Sequence, residues 1–306
     1  MKFTIYQESR PGKRPNNEDR LAHCYSRDAL LVVVADGMGG HYYGEVAAQI
    51  AVQSVTEAFQ REANPKIHDP FSFINRTMIN AHCAILDFAN THKLLDSPRT
   101  TCVACLIQDS IAYWAHAGDS RLYVIRGGRV LTRTRDHSRV QLLIDQGMIS
   151  PAQASSHPDR NKVYSCLGGR QDPDIELSRK TPLESGDVVA LCTDGLWGLY
   201  PDDLLAAALK DENLMKAVPE LMEQADGRGG QNADNLSIVA VRWEDNYVEP
   251  GSGNSSTIHT QTMPLGAITT HLDEFGRNPK YKTELTDDEI ERAIQEIRST
   301  IQKYSK

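Results

Sequence analysis

The sequence predicts an α+β protein of layered sheets and helices, and two observations carry that reading. Expected strands and helices come in blocks: strands, two helices, strands, an excursion, a strand, two helices and a last strand. That order suits segregated layers and disfavours a βαβ winding. Neither a G-x-G-x-x-G nor a Walker sequence is present, which removes the usual nucleotide-phosphate cradles.

The elements follow in order. Residues 3–9 read as a strand. The Pro, Gly and Asn content of 10–20 reads as a loop, which carries Arg14, Glu18 and Asp19. Val32-Val33-Val34-Ala35 is a β-branched apolar run ending in Asp36-Gly37-Met38-Gly39-Gly40, a buried strand that drops into a carboxylate set among glycines. Apolar residues at 46, 47, 50, 51, 55, 58 and 59 fit one face of a helix, and a second helix is expected after Pro70. From Thr100 the period changes to two. Residues 101–108, 111–118, 121–126 and 129–134 read as strands, the last two joined by Gly127-Gly128. A short helical stretch is expected through Val140, Leu143 and Ile144 to Gly147, residues 155–169 are polar, and 138–168 read as an excursion over the body. A strand from Val188 ends in Asp194-Gly195, helices are expected over 201–209 and 214–225, and Asp234-Asn235 leads into a final strand.

Beyond Trp243 the composition shifts. Residues 244–280, rich in Thr, Ser and Gly, read as a flexible linker, and 281–306 as an amphipathic helix opened by the capping box Thr286-Asp287-Asp288-Glu289. Ile290, Ile294, Ile297, Ile301 and Tyr304 recur on that helix at heptad-like spacing. The helix is expected to fold back, to dimerise or to dock a partner.

At 306 residues the chain can bury a full core, and a net charge of -8 argues against nucleic acid or an anionic membrane as its main partner. No apolar stretch is long enough to span a bilayer, so a cytoplasmic location is expected. The six cysteines are scattered and mostly in apolar runs, as reduced core residues are. Cys102 and Cys105 have chelating spacing, but on a strand positions i and i+3 face opposite sides.

An aspartate at the end of a buried strand is costly unless a cation or several donors meet it. Asp36, Asp194 and Asp234 all hold such positions, and could converge on one site with Glu18, Asp19 and Asp119. Several carboxylates without a matching His or Cys cluster select the hard cations Mg²⁺ or Mn²⁺. Two such ions form a clamp for displacement at phosphorus. Phosphate monoester hydrolysis needs up to ~10²¹-fold acceleration, whereas a positioned acid or base supplies about 10²–10⁴. Arg14 adds a guanidinium that holds two phosphate oxygens at once.

The series Arg14 with Asn17-Glu18-Asp19, Asp36-Gly37-Met38-Gly39-Gly40-His41, Thr100-Thr101, Gly118-Asp119-Ser120-Arg121, Asp136-His137-Ser138, Thr193-Asp194-Gly195-Leu196-Trp197 and Asp234-Asn235 resembles the bacterial type 2C metal-dependent Ser/Thr protein phosphatases over roughly residues 3–243. The resemblance implies a four-layer α/β/β/α sandwich, a phosphatase domain over 1–243, and hydrolysis of phosphoserine or phosphothreonine by a water between two Mn²⁺ or Mg²⁺ ions. It implies that Asp36 bridges the ions, that the Gly37 carbonyl, Asp194 and Asp234 complete the first, and that Glu18 and Asp19 serve the second. Asp119 matches a ligand of a weaker third ion, Arg14 the phosphate-binding arginine, and residues 138–168 the flap beside the cleft. Met38 stands where animal relatives have a histidine, which leaves His41 or metal-bound water to protonate the leaving group. The implied partners are a phosphorylated protein and a cognate Ser/Thr kinase. The rival readings are a phosphoprotein-binding pseudophosphatase, a scaffold acting through the tail, and a phosphatase of small phosphoesters.

Overall fold

Alternation along the strands assigns each side chain to one of two cores. In the strand that ends at Asp36, every residue before the aspartate is buried. Leu31 and Val33 feed a core shared with helices, while Val32 and Val34 feed a core between sheets. The computed structural model describes residues 1–38, 43–154, 156–211 and 213–246, together with the backbone of 269–272.

In chain order the strands are β1 (Phe3–Arg10), β2 (Asp19–Tyr25), β3 (Ala29–Asp36), β4 (Cys102–Gln108), β5 (Ile111–Ala117), β6 (Arg121–Arg126) and β7 (Arg129–Arg133). They continue with β8 (Glu176–Leu177), β9 (Thr181–Pro182), β10 (Val188–Cys192), β11 (Leu236–Trp243) and β12 (Thr269–Leu272). One sheet has the order β1-β11-β10-β6-β7, the other β12-β2-β3-β4-β5-β8 with β9 also on β5. All the pairings between these strands are antiparallel.

The two sheets close on each other through Val32, Val34, Val189, Leu191, Val239 and Trp243. Helices α1 (Gly44–Glu62) and α2 (Pro70–Thr91) cover the outer face of the β2-β3-β4-β5 sheet. The start of α2 is set by Asp69, whose carboxylate accepts from Ser72 N at 3.2 Å, with Pro70 in the first turn. Two short helices, α3 (Arg139–Asp145) and α4 (Pro151–Ala154), lie in the excursion. The other sheet is covered by α5 (Asp194–Trp197), α6 (Asp202–Ala208) and α7 (Leu214–Gly229). The four layers α/β/β/α are those the sequence led us to expect. Cys102 packs on the helix side of its sheet and Cys105 on the sheet side, so the two thiols do face apart.

Three features differ from the sequence reading. β2 follows directly on the expected loop and is a full strand between β3 and β12. β8 and β9 are two-residue pairings after the excursion. The expectation of a flexible linker over 244–280 is corrected at Thr269–Leu272, where β12 pairs with β2 from Thr269 opposite Tyr25 to Leu272 opposite Ala22. β-Branched Thr269 and Thr270 suit a ladder, and the edge of β2 offers unpaired backbone groups. The expected helix over 281–306, the heptad positions on it and His41 lie outside the described residues. Among the described residues no helix is long and apolar enough to cross a membrane.

Candidate metal centre

The antiparallel register does most of the assembly. β2 and β3 pair so that Asp19 stands opposite Asp36. Beyond that pair, the Gly37 N–H donates to the Glu18 carbonyl at 3.2 Å. A Cβ on Gly37 would sit 2.5 Å from the Gly44 backbone, so only glycine lets the start of α1 approach here. In the other sheet, β10 and β11 are neighbours, which brings Asp194, just after β10, beside Asp234, just before β11. Gly195 packs directly on the Asn235 carbonyl, at a spacing that no side chain would allow.

Hydroxyls and backbone fix the aspartates from behind. Asp36 N donates to Thr101 Oγ1 at 3.0 Å, and the Asp36 carbonyl accepts from Thr101 N at 2.9 Å and Thr100 Oγ1 at 2.8 Å. Thr101 Oγ1 in turn meets Ser120 Oγ at 2.7 Å, next to Asp119. The Asp119 carbonyl accepts from the Trp197 indole N–H at 2.9 Å. The Arg121 guanidinium lies 3.6 Å from the centre of the Trp197 ring and grips Asp136 with two bonds of 2.8 and 2.7 Å. Asn235 is the hub of the first loop: its side chain accepts from Glu18 N and donates to the carbonyls of Pro11 and Asn16.

The result is a cleft of about 400 Å³ in which Glu18, Asp36, Asp119, Asp194 and Asp234 meet the Gly37 backbone, with Arg14 the sole cationic side chain on its wall among the described residues. Arg14 is half exposed and bonds Asp234 at 2.8 Å. Asn161 and Val163, from within 138–168, form part of the wall. Asp19 does not line the cleft. It is 1% exposed behind it, with one oxygen accepting from Thr193 Oγ1 at 2.9 Å.

The electrostatics are unfavourable as the side chains stand. Burial pushes Asp36 and Asp119 well above the usual carboxylate range, with neighbouring aspartates adding to the effect. Burial, then the charge of Glu45, raises Glu18 to about 7. Burial raises Asp19 to about 7, against the hydrogen bonds of Ser237 and Thr193, and burial with Asp234 raises Asp194 to about 6. Glu18 Oε2 and Asp19 Oδ1 are buried without any hydrogen-bond partner. Converging, under-satisfied carboxylate oxygens fit hard divalent cations.

Of the residues singled out in the sequence, the cleft gathers Arg14, Glu18, Asp36, Gly37, Asp119, Asp194 and Asp234, with Asp19 at its back. Sequence reasoning gave no role to Asn235, Trp197, Asn161 or Val163. Asn235 had a signal in its place beside an acidic strand entry, but its partners lie more than 200 positions away.

An antiparallel α/β/β/α sandwich with an acidic cleft where its strand ends meet defines a class of phosphoric monoester hydrolases. The family model described as protein phosphatase 2C matches residues 8–236, and the chain belongs to that family. The serine/threonine phosphatase Stp of Listeria innocua is 30% identical over 243 residues, covering 78% of this chain and 94% of that protein. The serine/threonine protein phosphatase PstP of Mycobacterium tuberculosis is 32% identical over 229 residues, 74% of this chain but 42% of that longer protein. Its crystal structure superposes with a TM-score of 0.69 at 31% identity, covering 79% of this chain and 99% of that one. The PstP catalytic domain in complex with two manganese ions gives 0.66 at 29% identity, covering 78% of this chain and 97% of that one.

Proposed function

We propose that this chain is an active, metal-dependent phosphoprotein phosphatase that removes phosphate from phosphoserine and phosphothreonine, opposing a Ser/Thr kinase in the cytoplasm. The observation that carries the reading is the meeting of Glu18, Asp36, Asp119, Asp194 and Asp234 with Arg14 in one cleft. A pseudophosphatase lacking a metal carboxylate or the phosphate arginine would not present that set.

Asp36, the Gly37 carbonyl, Asp194 and Asp234 would hold one divalent cation, Glu18 with Asp19 behind it a second, and Asp119 with Asp36 a weaker third. When bound, Mn²⁺ or Mg²⁺ supplies an acidified water as nucleophile and charge neutralisation at phosphorus. The chain's own residues do the rest. Arg14 exchanges its bond to Asp234 for two phosphate oxygens and orients the ester. Thr101, Thr193 and Asn235 hold the carboxylates and the first loop in place, so little reorganisation is needed at the moment of reaction. Asn161 and Val163 give the flap a direct hand in shaping the substrate's surroundings.

The test is hydrolysis of p-nitrophenyl phosphate and of a phosphothreonine peptide by the purified chain, with Mn²⁺ and with EDTA, beside Asp194→Asn. Activity that requires Mn²⁺ and drops by about 10²-fold or more in the variant is expected. Folded protein inactive with both Mn²⁺ and Mg²⁺ sinks the proposal.

A further inference from the structure

A second group of ligating side chains stands outside the acidic cleft. Along β5, Ala112 and Trp114 face the other sheet, and His116 continues that face past the apolar core. Glu176 of β8 is its cross-strand partner. His137, after β7, brings its ring to 4.4 Å from that of His116, centre to centre, and its Nε2 to 3.4 Å from Glu176 Oε2. One ligating atom from each of the three residues lies within 4.8 Å of the others.

The tautomer of His116 is set by its surroundings. Its Nε2 donates to the Arg135 carbonyl at 2.7 Å, which leaves the lone pair on Nδ1. That Nδ1 has no hydrogen-bond partner, although the residue is only 2% exposed. A backbone carbonyl on one nitrogen and a free, buried lone pair on the other is how metal-ligating histidines are held. Burial, reinforced by the neighbouring His137 ring, also pushes His116 below its ordinary value and keeps it in the neutral, ligating form.

We propose that His116, His137 and Glu176 form a second metal site, distinct from the acidic cleft, that takes a borderline divalent transition-metal ion, zinc above all. Two imidazoles and one carboxylate are a zinc donor set that leaves the fourth tetrahedral position to water. The same set is a poor match for Mg²⁺ or Mn²⁺, which the all-oxygen cleft suits. Glu176 is half exposed, so the ion has an entry path. One contact opposes binding. Gly118 N reaches His137 Nδ1 at 3.4 Å, which places the His137 proton on Nε2. Zinc at Nε2 moves that proton to Nδ1 and gives up this long contact.

The position gives the site a consequence. The His137 carbonyl accepts from Tyr164 N at 2.9 Å, and Arg139 N donates to the Lys162 carbonyl at 2.8 Å, so residues 137–139 tie the start of the flap to 162–164 near its end. Asn161 and Val163, just before Tyr164, line the cleft. An ion joining β5, β8 and this anchor fixes the flap's base and changes substrate affinity without entering the cleft.

Zinc binding is to be measured on the full chain by competition with a chromophoric chelator. The background is Asp36→Asn/Asp194→Asn, which weakens the acidic cleft as a zinc site, with and without Glu176→Gln. One zinc equivalent is expected in the background, with affinity lowered roughly 10-fold or more by Glu176→Gln. Co²⁺ in its place is expected to give the intense visible bands of a four-coordinate site, lost in the same variant. Glu176 is half exposed, so its replacement leaves the fold intact, which circular dichroism checks. Zinc affinity unchanged by both Glu176→Gln and His137→Gln, or no zinc retained by the folded background variant, overturns the proposal.

Discussion

Arg14 shows how a single side chain divides between two partners. It reaches across the mouth of the cleft to Asp234 at 2.8 Å, on a side chain that is half exposed. Screening makes that pair weak, so in the proposed function a phosphate that offers two oxygens would displace it at little cost. Arg14→Ala is expected to raise KM for a phosphothreonine peptide by about 10-fold or more, the worth of losing charge-assisted bonds of ~1.5–3 kcal/mol, with a smaller effect on kcat. A change in kcat alone would place Arg14 in the chemical step instead. The carboxylates around it give a second prediction, with its sign fixed by their direction. Glu18 and Asp19 are raised to about 7 and Asp194 to about 6, whereas an unfolded chain loses these protons near pH 4. Between those values the folded, ion-free protein binds more protons than the unfolded one, so its stability falls as pH rises from about 4 to 7. Thermal melting in EDTA should therefore drop between about pH 5 and 7, and Mn²⁺, which neutralises the same carboxylates, should shrink the drop. A melting temperature level or rising across that range in EDTA contradicts the account.

At the scale of elements, Arg121 joins three of them. It extends from the start of β6, grips Asp136 after β7, and lies over Trp197 of α5, whose indole N–H holds the Asp119 carbonyl. Asp136 is 5% exposed, so removing Arg121 leaves this buried carboxylate only the longer 3.8 Å pairing to Arg133. Arg121→Ala is expected to cost about 3–5 kcal/mol in urea unfolding, and Arg121→Lys to recover only part of it, since lysine has neither the fork nor the flat face. Equal stability of the Arg121→Lys variant and the wild-type protein would show that charge alone matters there. The same network marks the limit of what the sequence reveals. Asp36 and Asp194 were legible because an apolar run ending in Asp-Gly is a local signal. β2 was not, because Asp-Arg-Leu-Ala-His-Cys-Tyr has no β-branched residue, and it is a strand only because β3 and β12 flank it. His116, His137 and Glu176 gave no warning either. They meet through the pairing of β5 with β8, a two-residue contact too short to leave a pattern.

For the whole molecule, the span of residues 1–246 holds, among the described residues, every residue lining the cleft, all three cores and both faces of covering helices. The β1–β11 ladder joins its two ends, from Phe3 opposite Trp243 to Arg10 opposite Leu236, so the chain closes on itself before β12 is reached. What lies beyond contributes, among the described residues, one edge strand on β2, remote in the sheet order from β5 and the flap side. A chain ending at Asn246 is therefore expected to fold and to keep its kcat on p-nitrophenyl phosphate. It should melt lower than the full chain, because the β2 edge loses its ladder, and should self-associate more readily through the edge thus opened. Calorimetry and size-exclusion chromatography on the two lengths check this. Loss of kcat in the shorter chain would mean that residues beyond Asn246 reach the cleft, and the tail would then have to be counted as part of the catalytic unit.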